Sequence, residues 1–160
     1  MAFMSDLDPG TRAFLDVYQW QRIDPVPWAV PSAAPGDLQV GLVAMACMKM
    51  PDQPHFVGLE TGGDPTPRIV SADVDPARLV NDFPGQNFDH AGLAADANLL
   101  VPIDRMHELA EAGVIGGIAP RVVSMCGHIT KTRRLIDETA PAIARLFADD
   151  DAGAVLLVPA

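Results

Sequence analysis

Cationic side chains are scarce in this sequence. Lys and Arg number 11 against 21 Asp and Glu, for a net charge of −10 over 160 residues. Sequence-independent binding to nucleic acid needs Lys and Arg to displace counterions, so this balance argues against a nucleic-acid partner. It equally disfavours docking on an anionic membrane surface. Cysteine is limited to Cys47 and Cys126, too few for a disulfide scaffold in a chain of this size. No apolar run approaches the roughly 20 residues that span a bilayer. The opening Met1–Asp6 lacks the basic segment and long apolar stretch of a signal peptide, so the cytoplasm is the expected location. G-x-G-x-x-G, the P-loop pattern, G-x-S-x-G, C-x-x-C and H-x-x-x-H are all missing. Their absence removes the usual local signatures of nucleotide binding, of an α/β-hydrolase serine and of a zinc site. No cofactor and no metal are expected.

What is present suits one globular domain: 49% apolar and 20% charged residues, with enough length for a real core. Residues 1–37 read as a helix followed by a connection. Asp8-Pro9-Gly10-Thr11 supplies the helix start, with Asp8 or Thr11 as cap. Pro25, Pro27, Pro31 and Pro35 keep the stretch after Asp24 out of regular structure, with Trp28 expected to anchor it. Residues 38–160 read as an α/β domain. Leu38–Met48 is a core strand with small residues on both faces, and a long Pro- and Gly-rich loop from Lys49 to Pro67 follows it, where binding loops tend to lie. Arg68–Ser71 is a short strand and Asn98–Val101 a short extended piece. A helix opens at Pro102-Ile103-Asp104 and stops at Gly113. Arg121–Met125 is a strand, and Thr130–Asp149 has helical spacing with Pro141 set to kink or divide it. Ala154–Val158, short and branched, reads as a buried parallel strand. The order implies a layered domain with a largely parallel sheet flanked by helices. In such sheets chemistry sits beyond the carboxyl ends of the strands.

Cys126-Gly127-His128 stands at such a strand end, just before an expected helix N-terminus. A thiol there is acidified, so Cys126 is a candidate nucleophile with His128 as a nearby base. The plainer reading is a small buried cysteine beside a surface histidine. Cys47, inside an apolar run, is expected in the core. Asp89 and His90, in a polar loop, could orient an imidazole or bind a substrate, or form an ordinary exposed turn. Asp104 and Arg105 read as a cap or ion pair, and His107 and Glu108 as surface residues. A metal cluster from Cys47, His55, Cys126 and His128 has no supporting spacing.

Taken together, Gly63-Asp64-Pro65, Arg68-Ile69-Val70, Phe88-Asp89, Asn98–Leu109 (NLLVPIDRMHEL), Gly113–Arg121 (GVIGGIAPR), Thr139-Ala140-Pro141 and Ala154–Pro159 (AVLLVP) resemble the glycine/sarcosine/betaine reductase selenoprotein B family, which includes D-proline reductase relatives. The likeness runs over residues 38–160, and Val101–Arg121 is its most specific part. It implies reductive cleavage of a carbon–nitrogen bond in a small amine or amino-acid derivative, with electrons from dithiols and partner subunits in a reductase complex. It also implies that the strand at Ala154–Val158 leads into a selenocysteine or cysteine nucleophile, followed by a second α/β half. Ala160 falls before that position, so the chain is expected to be the front half of a larger protein, inactive alone. A selenocysteine codon read as a stop would produce such a chain. Asp89, His90, Gly127 and His128 would then shape a substrate pocket by their location at strand ends. Two other readings compete. In an isomerase or racemase-like enzyme, Cys47 and Cys126 would share one cleft. In a non-enzymatic interaction module, an exposed apolar edge at Val155–Val158 would dock a partner.

Overall fold

The computed structural model describes residues 3–18, 23–58, 61–83 and 90–159. The chain divides into two compact units, Met1–Val30 and Pro31–Ala160. In the first, helix α1 (Pro9–Val17) starts where expected, because the Asp8 carboxylate accepts from the N–H groups of Gly10 and Thr11. Trp28 is exposed rather than buried as an anchor.

The second unit is built on a four-stranded sheet of strands β1 (Gln39–Ala44), β3 (Arg68–Ser71), β5 (Gly117–Ser124) and β6 (Ala152–Val158), in the order β3-β5-β1-β6. β5, β1 and β6 run parallel, and β3 is antiparallel to β5. A two-stranded ribbon pairs β2 (Met48–Lys49) with β4 (Val80–Asn81). The α/β class with a mostly parallel sheet is as the sequence led us to expect.

Successive residues of a strand point to opposite faces, and the core follows that rule. Leu42 of β1 and Val122 of β5 join Val101, Ile103 and Leu93 on one side, where helices α2 (His90–Ala95) and α3 (Ile103–Glu111) begin. Val43 and Val123 pack with Met125 and Phe147 on the other, under helix α4 (Ala140–Asp149). Arg121 of β5 ties that layer down, donating from Nε and Nη2 to the Asp150 carboxylate and from Nη2 to the Leu146 carbonyl.

Several local expectations are corrected. The run Leu38–Met48 is not one strand. β1 stops at Ala44, and Cys47 has a left-handed backbone (φ 48°) that turns the chain into β2. Asn98–Val101 is not extended, because Asp96 accepts from the Asn98 N–H and closes a 3₁₀ turn over Ala97–Leu99. Asp104 pairs with Asn98 rather than with Arg105, which faces Glu108. Pro141 sits in the first turn of α4, and the ladder before it widens to a π-helical turn at Leu135–Thr139. Proline has no N–H to return to the preceding turn. β6 is parallel as expected but not buried. It pairs with β1 on one side only, and Val155, Leu156 and Leu157 are 43%, 42% and 69% exposed. No helix among the described residues is long and apolar enough to cross a membrane.

Candidate functional site

The register aligns the carboxyl ends of three parallel strands, with Ala44 of β1 opposite both Ser124 of β5 and Val158 of β6. Just past those ends, Cys47 and Cys126 are joined by a disulfide, with Cα atoms 4.2 Å apart. The backbone holds them together independently of sulfur. Met125 N–H donates to the Ala44 carbonyl and Cys47 N–H to the Met125 carbonyl, each at 2.8 Å. The Ser124 hydroxyl accepts from Met48 N–H at 3.2 Å. Phe56 packs on the two sulfur residues, with Phe83 alongside.

Two connections hold this cap in place. Asp82 donates its N–H to the Cys47 carbonyl, and its carboxylate accepts from Phe56 N–H and from His55 Nδ1, both at 2.6 Å. The second is a buried ion pair in the loop before β3, Asp64 with Arg68 at 3.1 Å, their side chains 4% and 8% exposed. The guanidinium lies 4.1 Å from the centre of the Phe56 ring and donates to the carbonyls of Pro54 and His55. Burial works against the charge of Asp64. Hydrogen bonds from the Thr66 hydroxyl and N–H, the Val57 N–H and Arg68 outweigh it and hold the carboxyl below the usual aspartate value. The same loop reaches the segment after β5, where Gly62 accepts from the N–H groups of Thr130 and Lys131.

The residues expected to carry chemistry fall as follows. Cys126 is at the expected strand end, but its sulfur is bonded to Cys47, so it offers no free thiol in this state. Nor does a helix begin immediately after it. Residues 127–132 are irregular, and His128 adopts a left-handed conformation (φ 58°). His128 is exposed, its ring 5.9 Å from that of Phe83. Gly127 is half-buried, with open space where a Cβ would stand. His90 begins α2, and its Nδ1 accepts from the Asn81 amide at 2.6 Å. Asn81 in turn accepts from Phe83 N–H. Phe83 thus links His90 through Asn81, and His128 through ring contact, to the cysteine pair. Asp89 lies outside the described residues. His107, expected on the surface, bonds through Nε2 to the Ala72 carbonyl. No group of metal-ligating side chains occurs among the described residues.

The isomerase reading sets Cys47 and Cys126 in one cleft, and the structure does bring them together, but as a disulfide that no reading of the sequence includes. The signal was available: both stand at the ends of apolar runs expected to be parallel strands, and neighbouring parallel strands bring their ends together. Proton transfer between two free thiols, as a racemase would need, has no free thiol to use in this state. Asp82 carries no local signal beyond its place in a loop, and Asp64 and Arg68, though both in segments that carry the resemblance, show nothing in the sequence that marks them as a pair.

The carboxyl edge of the parallel strands thus carries a buried disulfide. The chain is 29% identical over 154 residues to D-proline reductase subunit gamma of Acetoanaerobium sticklandii, a match covering 96% of this chain and 61% of that one. The chain thus spans about three fifths of the length of that relative. No family model and no solved structure matches it. The chain is similar to a subunit of a reductase, which is the broader part of the resemblance drawn from the sequence.

Proposed function

We propose that this chain is the substrate-side scaffold of a selenol- or thiol-dependent reductase of the selenoprotein B type, cleaving a carbon–nitrogen bond in a small amine or amino-acid derivative with electrons from dithiols. The similarity to D-proline reductase subunit gamma along nearly the whole chain carries this reading. The fold supports it in two ways. Three parallel strands end together at the edge where reactive groups are held in such sheets. Beside them, β6 leaves an apolar strand exposed, as a surface does that further polypeptide covers. In this reading the nucleophile follows β6 and comes with the part of the protein to which the relative's additional length corresponds, or with a partner subunit. The scaffold is then inactive on its own.

His90, His128 and Gly127 would line the substrate side of that edge, with Asp89, outside the described residues, kept as a candidate from its sequence neighbour His90 alone. Exposed imidazoles beside an apolar floor suit a small amino acid, whose carboxylate accepts hydrogen bonds while its carbon skeleton packs on Phe83. Calorimetric titration with D-proline, glycine, sarcosine and betaine tests this. At least one should bind, and His128→Ala and His90→Ala should each weaken it about tenfold, the effect of losing roughly 1.4 kcal/mol, with unchanged melting temperature. Binding that ignores both substitutions, or no binding by any of the four, contradicts the placement.

A further inference from the structure

Cys47 and Cys126 are the only cysteines of the chain, and their bond joins strand ends that are already hydrogen-bonded to each other. The backbone contacts Met125–Ala44 and Cys47–Met125 need no sulfur, so the disulfide can open without the strands parting. The reduced state also fits. Two thiols against Phe56 and Phe83 occupy an apolar setting in which free cysteine packs as a small hydrophobe. Access is one-sided. Cys47 is fully buried, Cys126 is 4% exposed, and the open space at Gly127 lies next to Cys126 in the chain. Cys126 is therefore the sulfur that an external thiolate reaches first, and Cys47 the leaving sulfur.

The position matters as much as the access. Across β1 from the pair, the Val158 carbonyl accepts from Met45 N–H at 2.9 Å, so β6 ends beside β1 at the same edge. Neighbouring strands are about 4.8 Å apart, which puts the sulfur pair within a strand or two of whatever follows β6.

We propose that Cys47 and Cys126 are a redox-active pair that takes two electrons from an external dithiol and passes them into reductive cleavage at this edge. The consumer of the electrons rests on the reductase reading above; the redox activity of the pair does not. In the charging half, a donor thiolate attacks Cys126 Sγ, the sulfur–sulfur bond breaks, and Cys47 leaves as a thiolate and takes up a proton. The donor's second thiol then attacks the mixed disulfide, which frees Cys126 and leaves the donor oxidised. In the discharging half the two cysteines re-form their bond and release two electrons and two protons. The substrate's carbon–nitrogen bond breaks, and one C–H and one N–H bond form. The sum is two thiols plus C–N giving disulfide plus C–H plus N–H.

The test uses the whole chain and no substrate, so its outcome is separate from that of the reductase reading. The folded protein is incubated with dithiothreitol, quenched with a maleimide, and its modified thiols are counted by mass. Both thiols should appear at least tenfold faster than global unfolding of the same protein. The reduced form should keep a cooperative melt, and oxidised glutathione should restore the bond. Gly127→Val, which fills the approach, should slow reduction about tenfold and leave the unfolding rate within twofold. Reduction only at the unfolding rate, or loss of the fold on reduction, would make the bond a structural staple and overturn the proposal. An unchanged rate of reduction in Gly127→Val counts against it equally.

Discussion

Asp64→Ala is expected to remove about 3–5 kcal/mol of stability, because it strands the buried Arg68 guanidinium without its counter-charge. For a protein held by about 5–15 kcal/mol, that is a large fraction of the whole. Arg68 keeps its bonds to the carbonyls of Pro54 and His55, but neutral carbonyls do not replace a carboxylate in an apolar setting. The damage should reach the cysteine pair, since Arg68 stacks on Phe56 and Phe56 packs on Cys47 and Cys126. Urea unfolding measures the loss, and thiol trapping should show faster reduction in the variant. The acid dependence has a defined sign. The folded-state pKa of Asp64 is below its unfolded value, so its contribution is complete above the unfolded value, near pH 4, and is lost as pH falls through the lower folded one. Asp64→Asn should flatten that part of the profile. An Asp64→Ala variant within 1 kcal/mol of the parent would mean that the pair is not buried as described.

Gly63→Ala should be the second most damaging change, at about 2–4 kcal/mol. Its backbone is left-handed (φ 85°), which costs a residue with a Cβ roughly 1–2 kcal/mol. An added Cβ would also stand 2.7 Å from the His128 carbonyl oxygen and 2.9 Å from Ile129 Cα, and overpacking against backbone adds about 1–3 kcal/mol. The two segments that would have to separate are the loop before β3 and the strand-end turn that carries His128. Loss of stability should therefore come with weaker substrate binding. A stable Gly63→Ala variant that binds as the parent does would contradict the close packing of these segments.

The fold was legible where one physical signal dominated. Asp8 capped α1, Gly113 followed α3 in a left-handed conformation, and Arg68–Ser71 formed a strand over the expected residues. The parallel sheet followed from strands alternating with helices. The misreadings have separate causes. Apolar residues on both sides of Ala44 hid the end of β1, because the turn there is made by a left-handed cysteine rather than by glycine or proline. β6 carries the composition of a buried strand, and composition cannot say whether anything lies against its far edge. At the site, Cys126 and His128 lie just past the end of β5, whereas His90, expected in a polar loop, opens helix α2. The disulfide and the Asp82 bridge were not anticipated, since Cys47 and Cys126 are 79 residues apart in sequence.

If this chain is, as we propose, a dithiol-driven reductase scaffold whose reactive edge is completed by further polypeptide, two preparations should differ in dithiothreitol-dependent formation of amine or ammonia from D-proline, glycine, sarcosine and betaine. One is the chain alone; the other is the chain produced together with the two fifths or so of subunit gamma that the match does not cover. Background is expected for the chain alone, and turnover of at least one substrate for the completed protein. Turnover by the chain alone, abolished by Cys126→Ala, would contradict that reading, as would a folded, assembled complex with no activity on any of the four.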